Sequence, residues 1–364
     1  MTVHTNVRSI AVTGLNATDN PAPGVAVLRC LRDSGRAQRL VGLAYDALDP
    51  GIYAHDIVDD VYMLPYASSA PDAFLERLCH VHARSPLSVL IPTLDAELPV
   101  FIELAPKLQR MGIALALPSR EQLEVRSKAN LSRFAQRIGF HTPETWLLTS
   151  VDDLNRAEHK LAFPLFIKGP FYGAKLVTNI EEARAAFHAT VAEWGYPILV
   201  QACVPGSTRE ERNVVGLGDG RGGLLGAVAM KKLAVTDKGK AWAGVTIRDP
   251  ELLELTRRFV SATHWSGPFE LEVMLGRDRT YYVIEINPRF PAWVYLAASA
   301  GQNLPALAVA TCLGEPVQAL TDYQVGKVFS RIALDQIASV ADLERMVVHG
   351  EWRRGDSGYE GEMT

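Results

Sequence analysis

Residues 281–289 (YYVIEINPR) form an apolar run that ends in a carboxylate, an amide and an arginine. Glu285 and Asn287 are two residues apart, so on a β-strand both side chains project from the same face. Their oxygens are hard ligands of the kind that Mg²⁺ takes when it bridges nucleotide phosphates. Arg289 adds a planar cation that suits a phosphate or a carboxylate. A carboxylate inside a buried run is costly unless it is paired or bound to metal, which favours a functional interpretation of Glu285.

A second strand-like run lies upstream, at residues 269–275 (FELEVML), and carries Glu272. Glu272 precedes Glu285 by 13 residues. This spacing predicts two adjacent antiparallel strands joined by the polar turn of residues 276–279. We therefore expect Glu272, Glu285 and Asn287 to converge on one metal site.

The composition bounds the class of protein. A chain of 364 residues is too long for one ordinary core, which predicts two or three domains. The hydrophobic content of 48% and the charged content of 21% are typical of a soluble globular protein. The net charge of −4 gives no sign of a nucleic-acid-binding surface. No apolar stretch reaches the length needed to span a membrane, so a membrane partner is not expected.

The cysteines and the N-terminus point to a cellular location. The four cysteines lie in apolar surroundings without the spacing of a zinc or redox motif. The first residues run into a predicted strand without an apolar signal core. We therefore expect reduced cysteines and a cytoplasmic protein. The sequence offers no convincing Ser/His/Asp or Cys/His arrangement for covalent catalysis.

The first third of the chain alternates predicted strands and helices, which indicates a parallel sheet with helices on both faces. The turn at residues 14–16 (GLN) lacks the glycine pattern of a dinucleotide-binding fingerprint. Residues 93–97 (TLDAE) follow the C-terminal end of a predicted strand, where open α/β sheets bind ligands. Asp95 and Glu97 are therefore candidates for substrate contact. A helix cap with first-turn acids explains them equally well.

A helical segment at 121–139 and a smaller α/β unit follow, and the two glutamate-bearing strands come after a polar loop at 236–244. The tail from residue 350 is polar and rich in glycine, so it is predicted to fray. The predicted divisions are an N-terminal domain at 1–120, two subdomains at 121–205 and 206–320, and a C-terminal extension at 321–364.

From about residue 128 to residue 316 the chain resembles the ATP-grasp superfamily of ligases, and the EINPR motif carries most of the resemblance. Within the superfamily it is most similar to the carbamoyl-phosphate-synthase-like carboxylate–amine ligases. The resemblance implies an α/β fold in which a parallel-sheet pre-ATP-grasp domain precedes a two-subdomain ATP-grasp fold. It also implies ATP and Mg²⁺ or Mn²⁺ as cofactors.

The resemblance assigns nucleotide contacts. Lys128, on a predicted helix, and Lys168, which ends the apolar run FPLFIK, match the two nucleotide-binding lysines. Gly173 belongs to a loop at 169–175 (GPFYGAK) that matches the lid over the phosphates, although its bulky aromatic residues depart from the usual small-residue pattern. Residues 198–206 (ILVQACVPG) match the hinge that reads adenine with its backbone.

In that hinge, the backbone groups of Ala202 and Val204 are the expected adenine contacts, and Gln201 stands where the family often has a glutamate. Either Glu210 or Glu211 is expected to bind the ribose hydroxyls, and Glu211 is preferred because it runs into the following strand.

The remaining roles concern the reacting groups. Lys231 or Lys232 is the expected basic residue at the transferred phosphate or the substrate carboxylate. Arg289 matches the clamp on the phosphate or acyl phosphate. Trp242, in the 236–244 loop that matches a substrate lid, and Trp293 are expected to contribute to specificity, and Trp293 is equally explained as a core residue.

The resemblance implies a ligase that joins a carboxylate to an amine through an acyl phosphate and releases ADP and phosphate. The expected substrates are small molecules, namely amino acids or a peptide, and a homodimer is left open. Three alternatives remain: a biotin-carboxylase-like enzyme that uses bicarbonate, a carbamoyl-phosphate-forming enzyme, and a nucleotide-binding module without turnover. Against them, the chain shows no biotin-acceptor segment, no duplication and no degraded metal ligands.

Overall fold

The computed structural model describes residues 7–18, 20–68, 70–126, 128–169, 174–204, 210–236 and 239–355. The side chains of residues 7, 8, 128, 129 and 158 lie outside this description. Within these ranges the strands form one largely parallel sheet and two antiparallel sheets. The prediction of an N-terminal parallel sheet followed by a two-part α/β unit is confirmed. No helix in the described ranges is long and apolar enough to cross a lipid bilayer.

The N-terminal sheet is built as the alternating pattern predicts. Its parallel strands are β1 (Val7–Thr13), β2 (Ala37–Ala44), β3 (Asp60–Met63), β4 (Leu87–Ile91) and β5 (Ala114–Leu115). The helices of this region are α1 (Gly24–Ser34), α2 (Pro71–Arg84) and α3 (Leu98–Arg110). The strand order is β3-β2-β1-β4-β5. The C-terminal ends of β1 and β4 therefore lie side by side, next to the residues that follow each strand.

The N-terminal sheet has a sixth strand, because residues 351–353 pair antiparallel with β3. The prediction that the tail frays from residue 350 is therefore wrong for this segment, and residues 356–364 lie outside the described residues. Trp352 explains the difference. It is 8% exposed, and its ring stacks on His55 with 3.9 Å between the ring centroids. Burial of one large aromatic ring favours order in an otherwise polar segment.

The second sheet follows two helices, α4 (Arg120–Val125) and α5 (Lys128–Ile138). Its elements are β6 (Thr145–Leu148), α6 (Val151–Glu158), β7 (Leu165–Lys168), β8 (Ala174–Val177), α7 (Ile180–Trp194) and β9 (Ile198–Ala202). The strand order is β6-β9-β7-β8, with every pairing antiparallel. Strand β8 includes residues 174–175, which the sequence placed in the lid loop. The remaining residues of that loop after Gly169 lie outside the described residues.

The central sheet carries the EINPR motif. Its strands are β10 (Glu211–Asp219), β11 (Leu224–Val235), β12 (Ala241–Thr246), β13 (Ser266–Leu275), β14 (Tyr281–Asn287) and β15 (Val328–Ser330). The accompanying helices are α8 (Pro250–Thr263), α9 (Val294–Ser299), α10 (Leu304–Cys312) and α11 (Val340–Glu344), and strand β16 (Glu351–Arg353) is the one that joins β3. The order is β14-β13-β10-β11-β12-β15. The sheet thus extends past residue 320, where the sequence placed a boundary.

The two faces of the central sheet pack differently. One face, with Val214 and Leu271, forms a core with Phe259 of α8 and Phe134 of α5. Helix α5 therefore packs on the central sheet, although the sequence grouped it with the second sheet. Part of the other face, including Met230, joins the core of the N-terminal sheet. The rest of this face of the central sheet carries polar side chains.

Candidate active site

The polar part of the central sheet brings the predicted metal ligands together. Glu272 pairs directly with Glu285 across β13 and β14, and Asn213 of β10 pairs with Glu272 from the other side. Residues paired in an antiparallel sheet point to the same face. The prediction that Glu272 and Glu285 occupy adjacent antiparallel strands is therefore confirmed. The next pair, Val273 and Val283, leaves Ile284 as a one-residue bulge.

Glu270 is a functional candidate that sequence reasoning missed. It pairs with Asn287 across the two strands and is 4% exposed. Its carboxylate accepts hydrogen bonds from Asn213 Nδ2 at 2.8 Å, Trp293 Nε1 at 2.7 Å and Asn287 Nδ2 at 3.0 Å. Burial raises the pKa of Glu270, and the neighbouring charge of Glu272 adds to the effect. Its position two residues before Glu272 would have revealed it, because the rule that pairs Glu285 with Asn287 applies here too.

The two lysines of β11 have different surroundings, and Lys232 lies beside the predicted metal ligands. Its Nζ lies 2.8 Å from a carboxylate oxygen of Glu211 and 3.3 Å from one of Glu272, and its side chain is 8% exposed. Burial alone would raise the pKa of Glu272, but Lys232 and its neighbours lower it to about 2. Lys231 points to the opposite face of the strand and contacts Glu210 at 2.9 Å. Of the two predicted lysines, the structure brings Lys232 to the site and leaves Lys231 outside it.

Arg289 connects the EINPR motif to the N-terminal region. Its Nε donates to Asp95 Oδ2 at 2.7 Å, and its Nη2 lies 3.4 Å from Asn287 Oδ1. Arg126 Nη1 contacts the other oxygen of Asp95 at 3.0 Å. Burial alone would raise the pKa of Asp95, but Arg289 and Arg126 lower it below its usual value. Asp95, which the sequence offered as a substrate contact, thus fixes the orientation of Arg289.

A cavity of about 320 Å³ lies where this polar face meets the N-terminal sheet. Its lining combines the residues after β1 and β4 with the polar face of the central sheet and the loop after β14. The lining residues are Asn16, Asn20, Pro21, Ala22, Pro23, Thr93, Leu94, Asp95, Ala96, Asn213, Lys232, Gly239, Lys240, Ala241, Glu270, Glu272, Arg289, Pro291, Ala292, Trp293 and Arg331. The predicted substrate residues Asp95 and Trp293 are among them.

Glu97 does not face this cavity, so its predicted role in substrate binding is wrong. Its side chain accepts hydrogen bonds from the hydroxyls of Thr13 and Tyr45 and from the backbone N–H groups of Thr93 and Leu94, at 2.9 and 3.0 Å. It is 3% exposed, and burial raises its pKa. These N–H groups belong to the loop before α3, and the side chain of Glu97 makes no capping hydrogen bond to that helix, so the helix-cap alternative is wrong as well.

Trp242 also lies elsewhere than predicted. The expected loop at 236–244 is short, because β11 continues to Val235 and β12 begins at Ala241. The N–H of Thr236 donates to the carbonyl of Lys240 at 2.8 Å and closes the hairpin, whose residues 237 and 238 lie outside the described part. Ala241 lines the cavity and Trp242 does not, and the pairing register of β12 shifts between Ala241 and Ala243, so the role of Trp242 in specificity stays a prediction.

A second, smaller cleft lies between the second sheet and the edge strand β14. It is lined by Leu131, Ser132, Thr142, Thr145, Lys168, Leu199, Gln201 and Ile284. Lys168 Nζ donates to Gln201 Oε1 at 2.6 Å, and Gln201 Nε2 donates to Thr145 Oγ1 at 2.9 Å. Ile284 precedes Glu285, so this cleft adjoins the strand that carries the predicted metal ligands. The geometry suits Lys168 for a phosphate bound between the two sheets.

The other predicted nucleotide contacts have mixed outcomes. The N–H of Ala202 donates to the carbonyl of Glu144 at 2.9 Å, so it is not available to a purine, and only the carbonyl of Ala202 stays a predicted adenine contact. Val204 is buried, and its role stays a prediction. Gly173 and the side chain of Lys128 lie outside the described residues. For the ribose, Glu210 and Glu211 both stay predictions, each beside a lysine of β11.

Replacing Lys168 by Ala is expected to weaken ATP binding by roughly 1.5–3 kcal/mol, because one charge-assisted phosphate contact is lost. Titration calorimetry with ATP and Mg²⁺ measures the effect. Lys107→Ala, an exposed lysine on α3, serves as the control and should bind as the wild type does. Equal affinities in all three proteins would count against a phosphate-binding role for Lys168.

The donor set suits a magnesium ion that is shared with a nucleotide. Mg²⁺ is usually held by one or two carboxylates while phosphates and waters complete its shell. Glu272, Glu285 and Asn287 supply two carboxylates and one amide on one face. Asn213 Oδ1, on the same face, is buried without a hydrogen-bond partner among the described residues. No group of three or more His, Cys, Asp or Glu side chains in the described ranges is placed to hold a metal ion.

Comparisons with known proteins agree with this geometry. Residues 198–333 match the family model described as ATP-grasp in the biosynthetic pathway with Ter operon. The chain is 24% identical over 285 residues to the carbamoyl phosphate synthase large chain of Thermoanaerobacter sp. (strain X514), which covers 71% of this chain and 26% of that protein. The corresponding protein of Caldanaerobacter subterraneus subsp. tengcongensis is 23% identical over 258 residues, or 64% and 24% of the two chains. The chain thus spans about a quarter of the length of these relatives.

Solved structures share the fold at low identity. The biotin carboxylase domain of 2-oxoglutarate carboxylase from Hydrogenobacter thermophilus has a TM-score of 0.65 at 16% identity, over 89% of this chain and 73% of that one. N5-carboxyaminoimidazole synthetase from Staphylococcus aureus has a TM-score of 0.65 at 11% identity, over 87% and 80%. L-amino acid ligase from Bacillus licheniformis has a TM-score of 0.63 at 18% identity, over 85% and 75%. Over residues 198–333 the chain matches an ATP-grasp family, and it is similar to carbamoyl-phosphate-synthase-like enzymes.

Proposed function

We propose that this chain is an ATP-dependent carboxylate–amine ligase that forms an amide or peptide bond through an acyl phosphate and releases ADP and phosphate. One observation carries the proposal. Glu272 and Glu285 oppose each other on adjacent strands, and the same polar face opens into a cavity that also holds Lys232 and Arg289. A site for nucleotide phosphates and a site for a small anionic substrate therefore adjoin each other.

The proposed reaction needs no covalent intermediate between the substrate and the protein. A substrate carboxylate oxygen attacks the γ-phosphorus of ATP, and the bond from that phosphorus to the β–γ bridging oxygen breaks as ADP leaves. The amine nitrogen then attacks the acyl carbon and loses a proton, and phosphate leaves with one former carboxylate oxygen. Bound Mg²⁺ or Mn²⁺, held by Glu272, Glu285 and Asn287, would supply neutralisation of the phosphate charge.

The described side chains have distinct roles in this scheme. Arg289, held by Asp95, presents a guanidinium whose orientation is fixed before the substrate binds. Lys232 supplies a second cation beside Glu272. Trp293 donates to Glu270 and closes one wall of the cavity, which keeps water away from a hydrolysable acyl phosphate.

The size of the cavity supports small substrates. A volume of about 320 Å³ suits a molecule of amino-acid size better than a protein segment. The structural similarity to an L-amino acid ligase supports amino acids or a short peptide as substrates. A homodimer stays a prediction for this chain, and a dimer is described for the Hydrogenobacter domain.

An isotope experiment tests the reaction class. With ¹⁸O in the substrate carboxylate, the label should appear in the released phosphate, and phosphate release should require a carboxylate and an amine together. Pooled amino acids are the first substrates to screen. Label retained entirely in the product, or release of AMP and pyrophosphate, would contradict an acyl-phosphate mechanism.

A second candidate function uses bicarbonate as the carboxylate. The Hydrogenobacter structure supports it, because that domain was solved with MgADP and a bicarbonate anion. The same assay separates the two candidates. Transfer of ¹⁸O from bicarbonate to phosphate without another carboxylate would favour the second candidate over the first.

A further inference from the structure

Arg331 lines the cavity, and no role has been assigned to it so far. It follows β15 directly. Its Nε donates to the carbonyl of Ala241 at 3.0 Å, and its Nη2 donates to the carbonyl of Ala292 at 3.0 Å. These two bonds fix the plane of the guanidinium between β12 and the loop that precedes Trp293. Its Nη1 donates to no residue in the described part of the chain.

The charge of Arg331 lacks the anionic partner that Arg289 and Lys232 have, and its guanidinium lies over the ring of Phe329, 5.6 Å from the centroid. Arg289 pairs with Asp95 and Lys232 pairs with Glu272, and the pKa of each of these two cations is raised. Arg331 has no ion pair with any described residue, and burial lowers its pKa. A partly buried guanidinium without an anion is unfavourable, whereas a bound carboxylate would supply two hydrogen bonds and the missing charge.

The position of Arg331 separates it from the groups that handle phosphate. The predicted metal ligands lie on β13 and β14, whereas Arg331 follows β15, at the opposite edge of the sheet. Its contact Ala292 is three residues from Arg289, and three residues of chain span at most about 11 Å. A small molecule with two polar ends therefore suits the space between Arg289 and Arg331.

We propose that Arg331 binds a substrate carboxylate that is not the one activated by ATP. The inference rests on the proposed function, which supplies the distinction between the two carboxylates. The second carboxylate belongs either to the acyl donor, as in a dicarboxylic acid, or to the amine, as in an α-amino acid. Arg331 is then a specificity-determining residue rather than a phosphate ligand.

Calorimetry with simple probes tests this inference without turnover. The protein, saturated with a non-hydrolysable ATP analogue and Mg²⁺, is titrated with acetate, succinate and glutarate, and separately with glycine, glycinamide and L-glutamate. The proteins are the wild type, Arg331→Gln and Arg331→Lys, with Arg277→Gln as the control. Arg277 is an exposed residue in the turn between β13 and β14, and its replacement changes the net charge equally.

The wild type should bind the probes with the additional carboxylate about 10- to 100-fold more tightly than their matched partners, and Arg331→Gln should lose that preference. Arg331→Lys keeps the charge but not the two-pronged geometry, so it should retain part of the preference. The control should behave as the wild type does, and all variants should bind the ATP analogue equally. Loss of preference for succinate over acetate assigns the carboxylate to the acyl donor, and loss for glycine over glycinamide assigns it to the amine.

Two results would overturn the inference: equal probe affinities in the wild type and both Arg331 variants, or a wild type that binds no probe or shows no preference. Thermal unfolding shows whether each variant is folded, and Arg331→Lys replaces Arg331→Gln if the latter is not. If no ¹⁸O appears in phosphate but the Arg331-dependent preference persists, the proposed ligase reaction is contradicted and the carboxylate site is retained. Conversely, ¹⁸O transfer to phosphate together with unchanged probe preferences in Arg331→Gln would support the ligase and remove the carboxylate site.

Discussion

Replacing Glu285 by Ala, or Asn287 by Ala, is expected to reduce ATP turnover by at least about 100-fold, because each variant removes a proposed oxygen ligand of the Mg²⁺ ion that would neutralise charge on the transferred phosphate. Glu285 lies directly opposite Glu272, so its loss leaves a single carboxylate in the pair. ADP release at several Mg²⁺ concentrations measures the effect. A partial recovery at high Mg²⁺ is expected for Glu285→Ala, since a weakened site still binds the ion when enough is present.

The Asn287 variant is also expected to weaken the fold. Asn287 donates to both Glu270 and Glu272, so Asn287→Ala should also lower the free energy of unfolding by about 1–3 kcal/mol. Thermal unfolding of Glu285→Ala shows whether that variant is folded, so that its lost turnover can be assigned to the site. Glu254→Ala, on the exposed face of α8, is the matched control. Wild-type turnover in both site variants would remove the metal-site interpretation.

The strand-borne part of this site could be predicted because it depends on short-range geometry. A period of two places Glu285 and Asn287 on one face, and a polar turn at 276–279 brings Glu272 opposite. The same rule applies to Glu270, so its omission was an incomplete use of the pattern. The bulge at Ile284 was not predictable, because an extra residue in one strand leaves no distinct signal in an apolar run.

The contacts that fix these side chains could not be predicted, because they join distant parts of the chain. Asp95 and Arg289 are separated by 194 residues, and their pairing depends on how the N-terminal sheet packs against the central one. The position of Arg331 likewise depends on distant contacts, because it donates to carbonyls 90 and 39 residues earlier in the chain. Ala202 shows a related failure: its N–H is occupied by Glu144, next to a short strand, β6, that the sequence pattern did not reveal.

Composition led to a wrong prediction for the C-terminal residues. The residues from 350 onward look like a frayed tail, yet Trp352 finds a partner in His55, almost 300 residues earlier in the chain. Glu97 is the opposite case, because the sequence left open both a substrate role and a helix-start role. Its neighbours exclude both, since the four donors that surround its carboxylate all lie outside helix α3.

Replacing Arg289 by Gln is expected to lower the free energy of unfolding by about 3 kcal/mol, since it leaves Asp95 without its closest buried cation. Arg126 still contacts Asp95, which keeps the loss near the lower end of the range for a broken buried pair. Urea unfolding measures the change. The exposed pair of Arg257 and Glu254 is the control, and Arg257→Gln should cost less than about 1 kcal/mol.

A double variant separates the structural role of Arg289 from its role at the substrate. Asp95→Asn combined with Arg289→Gln should restore part of the lost stability, because the buried carboxylate is then absent and only the more exposed Arg126 loses its partner. Turnover should not return, because the guanidinium that is proposed to bind the acyl phosphate is still absent. Recovery of both stability and turnover would show that Arg289 acts only through the fold. Recovery of stability alone would place it in contact with the reacting groups, where the cavity lining puts its side chain.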